Sequence, residues 1–145
     1  MRQSREDYYL EIARVVSTRS TCPRASVGAV IVKDHRIVAT GYNGAPSGEP
    51  HCTDVGCQLV DGHCSRAIHA ETNAVAQAAK FGVPIAGADL CYWDSLDRPY
   101  VVCVKCTQVM KAAGIAFVVG KDKIKERLQP LPRVIPMITL AGGGF

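Results

Sequence analysis

A chain of 145 residues, 48% hydrophobic and 21% charged, is long enough to bury the core of one globular domain and too apolar for a disordered tail. Its net charge of +4 is scattered, which suits a small anionic substrate and argues against the basic stripe of a nucleic-acid binder. No apolar run approaches the roughly eighteen residues of a membrane span, and Met1-Arg2-Gln3-Ser4-Arg5-Glu6-Asp7 lacks the apolar stretch of a signal peptide. A cytoplasmic protein is expected, its seven cysteines serving as metal ligands or buried thiols rather than disulfides.

Residues 4–18 read as an amphipathic helix, with Ser4 as N-cap and Glu6 and Asp7 in the first turn. Tyr8 or Tyr9, Ile12, Val15 and Val16 mark its apolar stripe. Residues 26–32 and 36–43 read as two strands joined by the turn Lys33-Asp34-His35, with His35 an exposed turn residue. Residues 44–66 are rich in Gly, Pro, His, Cys and Asp and have no period. That is longer than a compact domain leaves unheld, and Cys52, Cys57, His63 and Cys64 are the means of holding it.

Residues 67–81 read as an Ala-rich helix closed by Gly82 and buried against a sheet. Residues 88–93 form a third strand, in which Cys91 is a core residue. Another helix opens near Cys103 and ends at Gly114, and residues 115–119 form a fourth strand. Residues 121–127 read as a solvated helix face, and residues 134–140 as a fifth strand before the Gly142-Gly143-Gly144 tail. The order predicts one α/β domain over residues 1–145, a mixed sheet with helices packed on its faces.

Two clusters carry chemistry on this scaffold. His69-Ala70-Glu71 opens one helix, and Cys103-Val104-Lys105-Cys106 opens the next. Cys-x-x-Cys entering a helix aims both sulfurs at one centre, where the helix N-terminus favours thiolates. One imidazole and two thiolates would hold zinc with its fourth position open, the pattern of a catalytic rather than a structural site. Such a metal lowers the pKa of a bound water from about 15.7 toward 7. Glu71 is poorly placed as a ligand and well placed to carry that water's protons.

This order resembles the H-x-E…C-x-x-C arrangement of zinc nucleobase deaminases. Cys22-Pro23-Arg24, residues 27–31, Gly41-Tyr42-Asn43-Gly44-Ala45-Pro46-Ser47-Gly48, His51-Cys52 and His63-Cys64-Ser65-Arg66 narrow the likeness to the deoxycytidylate (dCMP) deaminase family, over roughly residues 5–120. The resemblance implies the cytidine-deaminase-like three-layer fold, a mixed five-stranded sheet with helices on both faces. It also implies hydrolysis of dCMP to dUMP and ammonia by a homo-oligomer, often a hexamer, tuned by dCTP and dTTP.

Carried over by position, His69, Cys103 and Cys106 match the zinc ligands and Glu71 the proton shuttle. Asn43 matches the residue that holds the sugar hydroxyl, Arg24 is placed to meet a phosphate, and Ala70 falls among the substrate-binding positions. Tyr42 and Gly44 match a nucleotide effector site. Cys22 and Cys52 match ligands of a second, structural zinc in some relatives, which two of Cys57, His63 and Cys64 would complete.

Two departures bear on the substrate. Val102 stands where the family has proline before the first cysteine of the Cys-x-x-Cys, and the link 94–102 is longer than expected, making Arg98 and Tyr100 candidates to touch substrate. A deaminase of another nucleotide, nucleoside or nucleobase is the alternative, and a catalytically inactive, zinc-stabilised nucleotide-binding module a second. Residues 121–145 have no match from which to carry a role.

Overall fold

The computed structural model describes residues 1–98 and 102–131; the fifth strand expected at 134–140, and Tyr100, lie outside them. Eleven elements follow one another: α1 (Arg5–Ser17), β1 (Val27–Lys33), β2 (Arg36–Tyr42), α2 (Cys52–Val55), β3 (Leu59–Val60), β4 (His63–Cys64), α3 (Ala70–Lys80), β5 (Asp89–Asp94), α4 (Val104–Ala112), β6 (Phe117–Val119) and β7 (Lys125–Arg127).

Among the described residues β3 and β4 form a separate antiparallel pair, and a five-stranded sheet runs β2-β1-β5-β6-β7, with β5 and β6 parallel and its other pairs antiparallel. It is the mixed sheet that the sequence predicts, but its fifth strand comes from the charged segment read as a helix face. Lys125, Glu126 and Arg127 are all exposed and pair with Val119, Val118 and Phe117. Charged side chains on an edge strand block further pairing, so a polar run here marks an edge rather than a helix.

The interior strand β1 is buried on both faces, as its unbroken apolar run requires. Val30 and Val32 turn toward α1 with Tyr9, Leu10, Ala13, Cys91 and Val119. Ala29 and Ile31 turn the other way, with Leu90 and Val118, onto Ala70, Ala74 and Ala78 of α3 and Cys106 and Met110 of α4. Three layers result, α1 on one face and α3 with α4 on the other.

Ser4 caps α1 as expected, its hydroxyl accepting from the Asp7 amide. The stripe on that helix is shifted: Tyr9, Leu10, Ala13 and Ser17 are buried, while Tyr8 and Val15 are about half exposed. Small size decides this, because Gly28 lets β1 press against the backbone at Ala13 and Ser17, where a large side chain would not fit. The β1–β2 turn holds Asp34 and His35 at positive φ, with His35 exposed and its carbonyl accepting from Tyr9 Oη at 2.9 Å.

The helix expected from residue 67 begins at Ala70. Ile68 is held instead in a bridge with Gly44, with N···O distances of 2.8 and 3.1 Å, which keeps His69 extended as the N-cap. Gly82 at φ +65 follows its C-terminus, as expected. Gly41 is required where β2 meets α3, since a Cβ there would strike the backbone of Ala70 and Ala74. None of the described helices is long and apolar enough to cross a membrane.

Candidate metal centre and substrate cleft

The N-termini of α3 and α4 come together beside the carboxyl end of β5, the place where open α/β sheets bind ligands. His69 caps α3 without a side-chain cap bond, and Cys103 does the same for α4. Their imidazole and sulfur are therefore available. Cys106 sits one turn into α4, buried, with its Sγ 3.3 Å from His69 Nδ1. The ligand atoms of His69, Cys103 and Cys106 all lie within 4.8 Å of one another. Tetrahedral zinc with bonds of 2.0–2.3 Å separates its ligands by about 3.5–3.8 Å, a spacing that donors this close together can reach with small side-chain adjustments. His69 is exposed and Cys106 buried, so the centre opens on the imidazole side.

Glu71 is buried on the same helix start and stands outside the three-donor set. Burial pushes its carboxyl above the ordinary range, against its own amide N–H and the neighbouring His69. A buried carboxyl at a three-donor metal centre has the reach and the chemistry of a proton carrier.

A cleft of about 1040 Å³ leads to this centre. Its lining includes Arg24, Asn43, Ala70, Glu71, Tyr92, Asp94, Arg98 and Lys121. Asn43 is buried, its Oδ1 accepting from the Val27 amide at 2.9 Å and its Nδ2 donating to the Ala25 carbonyl at 2.8 Å. The carboxamide thus braces the loop into β1 and keeps one N–H and one lone pair for a ligand. Arg24 is exposed at the rim, its guanidinium 3.4 Å from the Gly62 carbonyl.

Tyr42 and Gly44, the candidate effector residues, are outside the cleft lining. The Tyr42 carbonyl accepts from Asn73 Nδ2, and Gly44 pairs with Ile68 against Thr21. The link after β5 is anchored where it starts. Ser95 exchanges bonds with Ser26, Arg98 Nε donates to Asp94 at 2.9 Å, and Lys121 Nζ lies 3.0 Å from Asp97.

Sequence reading missed Tyr92. Strand alternation gives the signal: Tyr92 lies two residues from buried Leu90, on the face toward α3, and pairs with Ala29. Gly120 leaves room for its ring, since a Cβ there would come within 2.8 Å of Tyr92 Oη. Asp94, at the end of β5, and Lys121, just after β6, also line the cleft, although sequence reading placed them only in a link and on a solvated face.

A second thiol group forms in the loop 44–66. Cys52, Cys57 and Cys64 place their sulfurs within 4.8 Å of one another, with Cys52 and Cys64 3.7 Å apart. Of the residues read from sequence as candidates for a second site, Cys52, Cys57 and Cys64 form this group, and Cys22 and His63 are not part of it. Neighbours on a strand point to opposite faces, so β4 can give the centre Cys64 or His63 but not both. Cys22 lines the cleft, as Cys64 does, and its amide is bonded to Ser20. Burial raises the Cys52 thiol to about 11. At Cys64 burial works the same way, but hydrogen bonds from the backbone of Ala67, Gln58 and Arg66 outweigh it and bring the thiol to about 7. Amides folded back onto a sulfur favour a thiolate ligand.

Fold and site together define a class: an α/β protein with a zinc-type His-Cys-Cys centre, a carboxyl beside it and a nucleotide-sized cleft. The family model of the cytidine and deoxycytidylate deaminase zinc-binding region matches residues 3–121, and the chain belongs to that family. ComE operon protein 2 of Bacillus subtilis (strain 168) is 44% identical over 86% of this chain and 62% of its own length. The deoxycytidylate deaminase of Mycobacterium phage D29 is 36% identical over 79% of this chain and 91% of its own. Among solved structures, dCMP deaminase from the cyanophage S-TIM5 in complex with dCMP and dUMP superimposes with a TM-score of 0.67. It is 32% identical and covers 83% of this chain and 82% of its own. The chain spans only 37–38% of the deoxycytidylate deaminases of Schizosaccharomyces pombe and Saccharomyces cerevisiae that it matches.

Proposed function

We propose that the protein is a zinc-dependent hydrolytic deaminase of a cytosine nucleotide, converting dCMP to dUMP and ammonia. The observation that carries this reading is Glu71, a buried carboxyl beside a three-donor centre, at the floor of a cleft wide enough for a nucleotide. A purely structural metal site has no use for it. The phage relatives named for dCMP chemistry support the substrate, since they match this chain over most of their own length.

His69, Cys103 and Cys106 hold the zinc, which when bound acts as a Lewis acid and makes water nucleophilic at neutral pH. Glu71 takes the proton of the attacking water and delivers it to N3 of the pyrimidine as oxygen adds to C4. It then takes the proton of the new C4 hydroxyl and passes it to the exocyclic amine; the C4–N bond breaks as the C4 carbonyl forms, and ammonia leaves a uracil behind. Ala70, fully buried between the ligand and the shuttle, offers only backbone and a methyl, which suits close approach of a flat ring. Asn43 orients the sugar with its remaining donor and acceptor, and Arg24 at the rim meets the phosphate bidentately.

Cys52, Cys57 and Cys64 hold a second zinc that fastens the loop. The active form is a cytoplasmic homo-oligomer, a hexamer in the fullest form of this reading, with dCTP and dTTP as effectors near Tyr42 and Gly44. Ammonia release measured on dCMP, CMP, cytidine, dCTP and guanine tests the substrate. The reading expects dCMP to be the best substrate. A stronger response to dCTP or to a nucleoside would favour the second reading, in which the lengthened link holding Asp94 and Arg98 has reshaped the pocket.

A further inference from the structure

Cys106 Sγ has a polar neighbour that the reaction does not use. The Thr72 hydroxyl, from the first turn of α3, donates to this sulfur at 3.3 Å. Thr72 follows His69 by three residues, so the two share a helix face, as Cys103 and Cys106 do on α4. The two helix starts thus meet through reciprocal i,i+3 pairs. One side gives an imidazole and a hydroxyl, the other two sulfurs. A helical threonine commonly returns its hydroxyl to the carbonyl four residues back. Here that carbonyl, Ile68, receives Asn73 Nδ2 at 3.4 Å, and the Thr72 hydroxyl crosses to the other helix.

We propose that Thr72 is a positioning residue that fixes the Cys106 thiolate and moderates its electron donation to the metal. A sulfur that accepts an O–H bond has lower-lying lone pairs and is a weaker donor. The metal keeps more of its Lewis acidity as a result. The bond also locks the Cys106 rotamer toward His69, so the donor pair stands ready before metal arrives. Partners of this kind around metal ligands typically contribute 10–100-fold in metal affinity or activity. The inference rests on the zinc site proposed above.

The test uses the full chain loaded with Co²⁺, whose thiolate-to-metal charge-transfer band reports sulfur donation directly. Thr72→Val and Thr72→Ala both remove the hydroxyl and differ in size, whereas Thr72→Ser keeps the hydroxyl. The band should move to longer wavelength in both hydroxyl-free variants and stay at the parental position in Thr72→Ser. Zinc affinity, read by chelator competition, should weaken by about 10–100-fold in the same two variants. An unmoved band with unchanged affinity in Thr72→Val or Thr72→Ala overturns the proposal. So does a pattern that follows side-chain size, with Thr72→Ser behaving like Thr72→Ala. Failure of a Cys64→Ala chain, which lacks the loop site, to bind cobalt through sulfur would overturn the zinc site itself, and this inference with it.

Discussion

The chain builds two thiol-rich centres from similar donors, and they differ in what carries them. His69, Cys103 and Cys106 stand on the first turns of two helices clamped to a buried sheet. Cys52, Cys57 and Cys64 stand on a one-turn helix, a loop and a two-residue strand, with Val55, Leu59 and Val60 more than half exposed around them. The first centre has a buried carboxyl beside it and a cleft in front. Among the described residues the second has no buried carboxyl beside it, only Cys64 of its three donors lines that cleft, and backbone amides fold onto the Cys64 sulfur. Ligand chemistry is shared; the scaffold decides whether a metal reacts or only fastens.

Substitutions can break this comparison at either end. Cys106→Ala removes one of three protein ligands from the catalytic centre. It should abolish zinc at that site and cut turnover by more than the about 10–100-fold typical of losing a supporting partner. Metal analysis alongside ammonia release checks it, and zinc should remain in the loop. Cys64→Ala should do the reverse. The chain loses its loop zinc and about 3–4 kcal/mol of stability when zinc is present at roughly 100–1,000 times its Kd. The catalytic zinc stays, and chemical denaturation with and without zinc reads the difference.

Two glycines give smaller effects with the same contrast. Gly41→Ala drives a methyl into the backbone of α3, the helix that carries His69 and Glu71. About 1–3 kcal/mol of stability should be lost, and zinc affinity at the catalytic centre should fall with it. Gly62→Ala meets nothing within 4 Å and suffers only its φ of +77. It should cost about 1–2 kcal/mol and leave the catalytic centre untouched. Denaturant midpoints and chelator competition on the pair separate a rigid platform from a tolerant clasp.

Much of this was legible in the sequence because it is local. His-x-Glu and Cys-x-x-Cys at helix starts, the Ser4 cap and the turn at Asp34-His35 are each decided by a few neighbouring residues. What escaped depends on partners far along the chain. Ile68 leaves the helix because it pairs with Gly44. Residues 125–127 become a strand because β6 offers an edge, although their own pattern is only charged. Ala13 rather than Val15 faces the sheet because Gly28 lets the backbones close. The choice of Cys64 over His63 follows from the β3–β4 pairing, in which His63 opposes Val60 and Cys64 opposes Leu59. Tyr92 reads as a core strand residue until the cleft beside it is seen.

The central claim is that Glu71 moves the protons of a reaction whose metal is held by other residues. Glu71→Gln keeps the shape and burial of the side chain and removes the proton carrier. Loss of cytosine absorbance, followed for the parent and Glu71→Gln chains at equal zinc content with dCMP, tests it directly. The expected result is a fall in turnover of at least about 10²–10⁴-fold with zinc fully retained. Near-parental turnover by zinc-loaded Glu71→Gln would contradict the account.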